Sequence, residues 1–468
     1  MSVLEEAQKI AKEFDISDDC LNDCVDHFIW ATEHGLRHHT DLGMPMIPTF
    51  VTKIPTGKEK GVFLASDLGG TNFRVCSVTL NGDSTYSLNQ EKSSVPKELM
   101  VGSCKDFFDY LAGQVEAFLR KHHGEQFAED GYPKPPSGEP FKMGFTFSFP
   151  VDQTSLNKGK LIRWTKGFDI KDAVGKDIVE EFQAAITSRK LPVHVAALVN
   201  DTVGTLMSRS YTKAETGHTL VGCIFGTGTN GAYSEKIKTI PKFDSAAHPE
   251  ITDKIMVINT EWGSFDNRLK HIPNTRFDIA LNEHTPNPGY HMFEKRISGM
   301  FLGELLRLVL VELRDKGAIF KGLSATKNAL DTEWSLDTSV PSRIDGDQSS
   351  DLSETAKVVE DFLGYSSVPK DELEAIKLLA HAIGRRSATL SAVPLAGLIL
   401  HTKALEKFEG EIDIGADGSV VEFYPNFEKM VREALRKTRL GPEGEKRVTI
   451  GLARDGSGVG AALCALVA

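Results

Sequence analysis

The segment from Val62 to Leu88 is the part of the sequence that most restricts the possible folds. A short apolar run leads into Asp67-Leu68-Gly69-Gly70-Thr71-Asn72, and a second apolar run follows. Asn81-Gly82 is a strong hairpin signal before the next alternating segment. This pattern predicts three successive antiparallel strands joined by two tight turns, the first of them rich in glycine.

The remaining periodicity predicts alternating helices and strands. Apolar runs predict strands over 142–149, 193–199, 220–225 and 448–452. Helical spacing predicts helices from Leu21 to a stop at Gly35, and over 107–119, 178–186, 293–313, 354–362, 373–390 and 458–467. Asp417-Gly418 suggests a hairpin over 413–423, and the residues of 132–140 suggest a loop.

One short motif occurs twice. Gly-Thr-Asn stands at 70–72 and again at 228–230, each time after an apolar strand and before another strand-like segment. We therefore expect two related lobes, each presenting a glycine-rich hairpin turn to a common cleft. The second copy also matches Gly-x-Gly-x-x-Gly over 226–231, but a dinucleotide fingerprint must open a helix, and here a strand follows. No Walker-type motif is present.

Composition excludes several classes of protein. The 468 residues suggest two or three domains, and the net charge of -11 argues against broad binding to nucleic acid. The six cysteines form no Cys-x-x-Cys pair, and Cys20 and Cys24 are expected on one face of a helix in a reducing compartment. The acidic N-terminus is no signal peptide, and the apolar stretch 392–400 is too short to span a membrane. We expect a soluble, cytoplasmic protein.

Two aspartates are candidates for phosphoryl chemistry. Asp67 precedes the glycine-rich turn, where its carboxylate can hold Mg²⁺ directly or through water while Arg74 and the turn meet phosphate oxygens. The alternative is an ordinary hairpin in which Asp67 caps the turn. Asp201 follows a buried strand and can accept a proton from a substrate hydroxyl. Its alternative is capping, by Asp201 or Thr202, of the helix that follows.

A third group of polar residues has the composition of a sugar site. Carboxylates and amides can accept from and donate to several hydroxyls at fixed angles. Taken singly, the acids and the lysine of this group are equally consistent with solvated surface positions. The group comprises Ser148, Thr165, Lys166, Asn200, Asn230, Glu261 and Glu294.

Taken together, these segments resemble the hexokinase family. The matching motifs, in order, are LASDLGGTNFRV (64–75), GFTFSFP (144–150), RWTKGF (163–168), LVNDTVGTL (198–206), FGTGTNGAY (225–233), NTEWGSFDN (259–267), FEKRISGMFLGELLRLVL (293–310), ADGSV (416–420) and RDGSGVGAAL (454–463). They cover the chain from about residue 60 to its last residue, and their finer features are most similar to fungal glucokinases with a single catalytic unit.

The resemblance implies a fold and an activity. The fold is α/β, an actin-like ATPase (ribonuclease H-like) fold with two lobes around a deep cleft. The activity is ATP- and Mg²⁺-dependent phosphorylation of glucose at its 6-hydroxyl, the first step of glycolysis. The implied lobes are 1–59, N-terminal helices on the large lobe; 60–200, the small lobe; 201–454, the large lobe; and 455–468, a helix returning to the small lobe. The protein would be a monomer or weak homodimer.

The resemblance also implies roles for individual residues. Asp201 matches the catalytic base, and Lys166 and Arg74 would stabilise the transferred phosphoryl group. The sugar would be bound by Ser148, Phe149, Thr165, Lys166, Asn200, Asp201, Asn230, Glu261 and Glu294. The nucleotide would be bound by Asp67, Leu68, Gly69, Gly70, Thr71, Asn72, Thr227, Gly299, Met300, Thr338 to Ser342, and Ser419, Val420, Val421, Glu422 and Phe423, with Asp67 holding Mg²⁺ through water.

Three other interpretations stay open at this point. An actin- or Hsp70-like ATPase would share the glycine-rich turns, but it would have no use for the sugar group. A glucose sensor with vestigial catalysis is less consistent with an intact Asp201. A broad hexokinase that also accepts fructose and mannose is compatible with every motif.

Overall fold

The computed structural model describes residues 2–40, 42–128, 131, 138–214, 218–453 and 455–468. Most of the predicted loop over 132–140, and Arg454, lie outside the described residues. The helices are α1 (Val3–Glu13), α2 (Asp18–Arg37), α3 (Lys97–Met100), α4 (Cys104–His122), α5 (Ile178–Ser188), α6 (Asp201–Lys213), α7 (Arg276–Glu283), α8 (Glu294–Ile297), α9 (Gly299–Asp315), α10 (Ser339–Asp345), α11 (Ser353–Val358), α12 (Lys370–Thr402), α13 (Ala404–Lys407), α14 (Ser419–Phe423), α15 (Phe427–Lys437), α16 (Gly441–Glu445) and α17 (Ala461–Leu466).

The strands are β1 (Ile47–Pro48), β2 (Lys60–Gly69), β3 (Asn72–Asn81), β4 (Tyr86–Ser94), β5 (Phe141–Phe147), β6 (Val151–Ser155), β7 (Lys158–Leu161), β8 (Val193–Val199), β9 (His218–Phe225), β10 (Thr229–Lys236), β11 (Ile255–Asn259), β12 (Ile412–Asp417) and β13 (Val448–Leu452). The three antiparallel strands predicted first are β2, β3 and β4. The buried strand predicted over 193–199 is β8, and that over 448–452 is β13.

The two main sheets share one topology. The smaller sheet has the order β4-β3-β2-β5-β8, and the larger has the order β1-β11-β10-β9-β12-β13. In each, three consecutive strands form an antiparallel meander, and two later strands extend the sheet in parallel from the first strand of that meander. The two Gly-Thr-Asn turns therefore occupy equivalent places, between β2 and β3 and between β9 and β10. This confirms the prediction of two related lobes.

Three hydrophobic cores accompany the sheets. The largest joins the large sheet to α1, α2, α9 and α12, and the second joins the small sheet to α4 and α5. The third lies between the sheets and includes Cys76 of β3, Val203 of α6, Ala232 of β10 and Leu463 of α17. Because α6 begins at Asp201, the predicted catalytic residue stands at the junction of the two lobes.

Two of the expected turns are wrong. Gly35 does not end α2, which continues to Arg37; a Cβ at Gly35 would lie 2.4 Å from the carbonyl oxygen of Met44, so the glycine allows close packing instead. Asp417-Gly418 does not form a hairpin. The chain leaves β12 and enters α14 through Gly418, whose φ is +112°, and β12 pairs in parallel with β9 and β13.

Four helices differ in extent from their predictions. The helices expected over 354–362 and 458–467 each combine a π-helical turn, at Val359–Leu363 and Gly456–Gly460, with a short α-helix, α11 and α17. The helix expected over 293–313 is divided at Ser298, whose backbone is extended between α8 and α9. The helix expected over 373–390 continues to Thr402, through Pro394, as α12. Even α12 does not combine the length and apolar character needed to cross a bilayer, nor does any other helix in the described ranges.

The cysteines are as expected from their spacing. All six are free thiols. Cys20 and Cys24 lie on one face of α2, and the Sγ atom of each points at the carbonyl oxygen of His271, at 4.0 and 3.4 Å.

Candidate active site

The turn between β2 and β3 presents an open backbone to the cleft. Gly70 has φ +58°, and no atom would lie within 4 Å of a Cβ placed there. Asp67, near the end of β2, pairs across the hairpin with Arg74. Burial raises the pKa of Asp67, while Arg74, a hydrogen bond from Ser457 and the charge of Lys166 oppose that rise. A half-buried carboxylate beside unobstructed backbone suits a site for a cation and phosphate.

The turn between β9 and β10 contacts the other segments that are predicted to bind the nucleotide. The Gly226 N–H donates to the Gly228 carbonyl at 3.0 Å, which closes the turn. The first residues of α9 dock on it: the N–H groups of Gly299 and Met300 donate to the carbonyls of Gly226 and Thr227, at 2.7 and 3.2 Å. Thr227 and Met300 are thus in direct backbone contact, although they are far apart in the sequence.

The remaining nucleotide candidates adjoin this turn. Thr338 donates its hydroxyl to the Gly299 carbonyl, and Ser342 donates to the Phe423 carbonyl at 3.4 Å. A Cβ at Gly226 would lie 3.2 Å from Gly418, which precedes Ser419. The structure therefore brings together three segments that the resemblance assigned to the nucleotide: 299–300, 338–342 and 419–423. Met300 and Phe423 leave 53% and 69% of their surfaces exposed there.

A carboxylate and two amides form a hydrogen-bonded group on the large lobe. Glu261 Oε1 accepts from Asn259 Nδ2 at 2.8 Å and from Asn230 Nδ2 at 3.2 Å. Glu261 holds a left-handed backbone, φ +50°, which is uncommon for a residue with a side chain and is typical of constrained functional positions. Burial raises its pKa, and the two amides oppose that rise. The second carboxylate, Glu294, accepts from the backbone N–H of Thr229 at 3.0 Å.

Asp201 begins α6 but is not its cap. The cap is Asn200, whose Oδ1 accepts from the N–H and the hydroxyl of Thr202 at 3.0 and 2.6 Å. Asp201 Oδ1 also accepts from the Thr202 N–H, at 2.9 Å. Burial, reinforced by the negative charge of Glu261, raises the pKa of Asp201 to about 6. The pKa of this carboxyl group is thus close to neutral pH, which suits a general base.

Lys166, on the small lobe, interacts electrostatically with this carboxylate. Its backbone is left-handed, φ +58°, and its Nζ donates to the Ser148 carbonyl at 2.9 Å while standing 5.3 Å from the centre of the Phe149 ring. Desolvation lowers the pKa of Lys166, and the charges of Asp201 and Asp67 oppose the change. The Phe149 ring itself is only 6% exposed, because it packs against Trp164 and its neighbours. Thr165 precedes Lys166 on the same half-exposed segment.

Three residues of this region were not singled out from the sequence. Asn259 shares the hydrogen bonds of Glu261, and it opens the NTEWGSFDN motif. His291 has a left-handed backbone, and its Nδ1 lies 3.4 Å from Glu294 Oε1. The spacing of His291 and Glu294, three residues apart, was the available signal. Ser457 lies in the RDGSGVGAAL motif, but its interaction with Asp67 was not predictable, because 390 residues of sequence separate the two.

The fold and these clusters define a class of protein. Two lobes with equivalent topology each carry a glycine-rich turn, and Asp201 stands at their junction, where it interacts with Lys166 of the small lobe and Glu261 of the large lobe. This is a two-lobed phosphotransferase of the actin-like ATPase fold.

Comparisons with known proteins identify the family. Two Hexokinase family models match residues 6–211 and 220–467. The chain is 49% identical to a glucokinase of Aspergillus niger, over 100% of this chain and 97% of that protein, and 46% identical to glucokinase-1 of Saccharomyces cerevisiae, over 100% and 98%. A solved hexokinase from Schistosoma mansoni in complex with glucose superposes with a TM-score of 0.82 at 32% identity, covering 99% of this chain and 98% of that one. The chain belongs to the hexokinase family.

Proposed function

We propose that this hexokinase-family enzyme transfers the γ-phosphoryl group of ATP to the 6-hydroxyl of glucose, giving glucose 6-phosphate and ADP, the first step of glycolysis. The single observation that carries the proposal is the position of Asp201. Its carboxylate interacts with Glu261 of the sugar group, and also with Asp67 and Lys166 on the phosphate side. A base between these two groups is where a substrate hydroxyl would meet a phosphoryl donor.

The sugar would be held by residues of both lobes. On the large lobe, Glu261 and Asn230 are fixed by their mutual hydrogen bond, and Glu294 by the Thr229 N–H. Ser148, Thr165 and Lys166 would contribute from the small lobe, together with Asn200, which precedes the base. Phe149 would contribute through its backbone and by supporting the Lys166 ammonium, since its ring is buried.

The nucleotide would occupy the two glycine-rich turns and the wall formed by 299–300, 338–342 and 419–423. Asp67 would hold Mg²⁺ through water. The Asp67 carboxylate fits this role, because it is half-buried beside the unobstructed backbone of the glycine-rich turn. Mg²⁺ would neutralise phosphate charge.

The protein's own residues would then perform transfer. Asp201 aligns the 6-hydroxyl and accepts its proton, Lys166 stabilises the equatorial oxygens of the moving group, and Arg74 contacts phosphate oxygens beside the turn. Water competes with the sugar as a nucleophile, and lobe closure around the sugar would exclude it.

We further propose the lobe division 1–59, 60–200, 201–454 and 455–468. It is supported by the shared core of α1, α2 and α12, and by the packing of α17 on β5 and β8 of the small sheet. A cytoplasmic location is supported by the six unpaired thiols.

Glucose, rather than a range of hexoses, is favoured as the substrate by the glucokinase names of the two relatives at 46–49% identity. A coupled assay that follows ADP release with glucose, fructose or mannose tests the proposal. We expect kcat/KM to be greatest for glucose by at least about tenfold, roughly 1.4 kcal/mol of transition-state discrimination. ATP hydrolysis at the same rate with and without sugar would refute it.

A further inference from the structure

The turn that precedes the last helix is wedged between the phosphate turn and the catalytic helix. Residues Gly456–Gly460 form a single π-helical turn, a rare conformation that is frequent at functional sites. It follows Asp455, whose backbone is left-handed at φ +55°. The turn contacts α6 on one side and β2 and β3 on the other. It thus touches both the helix that begins with Asp201 and the strand that carries Asp67.

Glycines allow this close approach. A Cβ at Gly204 of α6 would lie 2.4 Å from the Gly456 carbonyl oxygen, and a Cβ at Gly460 would lie 2.0 Å from the Gly204 carbonyl oxygen. On the other side, a Cβ at Gly458 would lie 3.1 Å from Cys76 Sγ. The backbone of the turn therefore sets the spacing between α6 and the small sheet, with almost no room for adjustment.

Ser457 is the one side chain of the turn that interacts with the predicted phosphate site, where it lowers the pKa of Asp67. Its carbonyl accepts from the Thr146 hydroxyl of β5 at 2.9 Å, and Thr146 lies opposite Asp67 in the pairing of β2 with β5. The backbone of Ser457 is therefore fixed beside the residue that would carry the metal.

We propose that Ser457 is a positioning residue that orients the Asp67 carboxylate toward the metal–nucleotide complex. The proposal rests on the proposed function, in which Asp67 serves Mg²⁺. A carboxylate oxygen that accepts a fixed hydrogen bond loses rotational freedom, so the other oxygen keeps one direction toward the cleft. The glycine-packed turn also fixes the distance between the Asp67 strand and α6, so it constrains the position of Asp67 as well as its orientation.

The test compares two serine-to-alanine substitutions, one at Ser457 and one at Ser66, which is adjacent to Asp67 in the sequence. Ser457→Ala removes the hydroxyl that bonds to Asp67. Ser66→Ala is the matched control, because Ser66 is adjacent to Asp67, is fully buried, and its hydroxyl has no partner. Calorimetry measures the Kd of Mg-ADP at several Mg²⁺ concentrations and the Kd of glucose without nucleotide. Steady-state kinetics with Mg-ATP and glucose then separates the two KM values from kcat.

We expect Ser457→Ala to weaken Mg-ADP binding by about tenfold, the scale of a lost bond to a charged group, and to raise the Mg²⁺ concentration needed for half-saturation. Glucose binding should change less than about twofold, and Ser457→Thr, which restores a hydroxyl, should recover part of the loss. Ser66→Ala should match the unaltered protein. In an Asp67→Asn background, Ser457→Ala should add little.

Unchanged Mg-ADP binding in Ser457→Ala, or equal losses for glucose and nucleotide, would overturn the proposal. If Ser457→Ala does not fold, Ser457→Thr carries the test: a loss of nucleotide binding as large as that in Asp67→Asn, despite the hydroxyl, would overturn it. The unaltered protein is assayed first for glucose phosphorylation. Absence of that activity refutes the proposed function, whereas the calorimetric comparison judges Ser457 independently.

Discussion

Arg209 of α6 and Asp413 of β12 form a buried ion pair with two parallel hydrogen bonds, Nε to Oδ2 at 2.8 Å and Nη2 to Oδ1 at 2.6 Å. Asp413 also accepts from the hydroxyls of Thr219 and Thr449, at 2.9 and 3.1 Å. A Cβ at Gly451 would lie 2.2 Å from Arg209 Nη2, so the guanidinium fills a space that glycine leaves. The pair attaches α6, the helix that begins with Asp201, to the large sheet.

The first prediction concerns this attachment. Asp413→Ala should lower the free energy of unfolding by about 3–5 kcal/mol, because it leaves the Arg209 charge buried without a partner. Urea unfolding of the two proteins, monitored by tryptophan fluorescence, measures the change. Glu443→Ala serves as the control, since it breaks an exposed pair with Lys446 and should have no measurable effect. Equal stability of Asp413→Ala and the unaltered protein would show that the pair is not structural.

The second prediction concerns the base. Asp201→Asn should keep glucose affinity within about tenfold but lower kcat by at least roughly 100-fold, the scale of a lost general base. Asp152→Asn, an exposed carboxylate on β6, should change neither value. Near-normal turnover in a folded Asp201→Asn protein would reject the assignment.

The pH profile gives an independent check of the same residue. Because burial raises the pKa of Asp201 to about 6, the ionised base is lost as the pH falls below that value. We expect kcat/KM for glucose to fall with a slope approaching tenfold per pH unit on the acid side. A profile that is flat down to pH 4.5 would mean that a carboxylate with an ordinary pKa, or no carboxylate, controls the step.

The third prediction separates the two substrates. Asp67→Ala should weaken the use of Mg-ATP and leave glucose binding mostly intact, because Asp67 lies in the phosphate turn. Glu261→Ala should do the reverse, since it removes a sugar acceptor and leaves Asn230 and Asn259 without their shared partner. Isothermal titration with each ligand alone measures both effects. If both variants weakened the binding of the same ligand equally, the assignment of Asp67 to the nucleotide and Glu261 to the sugar would be wrong.

The fourth prediction concerns His291. A hydrogen bond with Glu294 raises the pKa of this histidine, Glu261 adds to the rise, and burial and Lys295 oppose it. A raised pKa means that the protonated form of His291 is favoured in the folded protein. The attraction of the protonated ring to Glu294 is lost as the pH rises through this raised pKa. Glucose affinity should therefore weaken a few-fold as the pH rises above the ordinary pKa of a histidine.

The control for His291 is His284, another histidine that pairs with a glutamate but lies outside the predicted sugar site. His291→Gln should flatten the dependence of glucose affinity on pH, whereas His284→Gln, which alters an exposed pair with Glu333, should leave it unchanged. The measurement is the glucose Kd at five pH values for the three proteins. An identical slope in all three would remove His291 from the sugar site.

Local signals predicted most of the fold, and contacts between distant segments account for what was missed. The strands around Asp67 and over 193–199 carry their turn chemistry and apolar runs with them. Asp417-Gly418 has the composition of a hairpin, but the neighbour of β12 is β9, almost 200 residues earlier, and parallel pairing with it excludes a return strand. Likewise, α12 continues through Pro394 because its surroundings bury every residue from Leu390 to Ile399.

The site shows the same division. Carboxylates and amides at strand ends could be named from the sequence, because residue type and position carry that signal. The left-handed backbone of Glu261 could not, since only packing determines it. Nor could the buried state of the Phe149 ring, which depends on Trp164 and Phe168 of the segment that carries Lys166.

The last prediction is that glucose closes the cleft without nucleotide. Ser148 follows β5 of the small sheet and Lys166 follows the two-stranded β6-β7 sheet, whereas Asn230 lies on β10 of the large sheet and Glu261 comes just after β11. A sugar that contacts both groups gains its full set of hydrogen bonds only when the lobes approach, so its affinity is greater for the closed state and the population shifts toward it.

Small-angle X-ray scattering of the protein with and without saturating glucose measures the change. We expect a smaller radius of gyration with glucose, together with a stabilisation of about 2.7 kcal/mol when glucose is in hundredfold excess over its Kd. Glu261→Ala, which lacks one large-lobe contact, should need more glucose to reach the same compact state. An unchanged radius beside a clear thermal shift would mean that glucose binds without closing the lobes, and water exclusion would then depend on ATP.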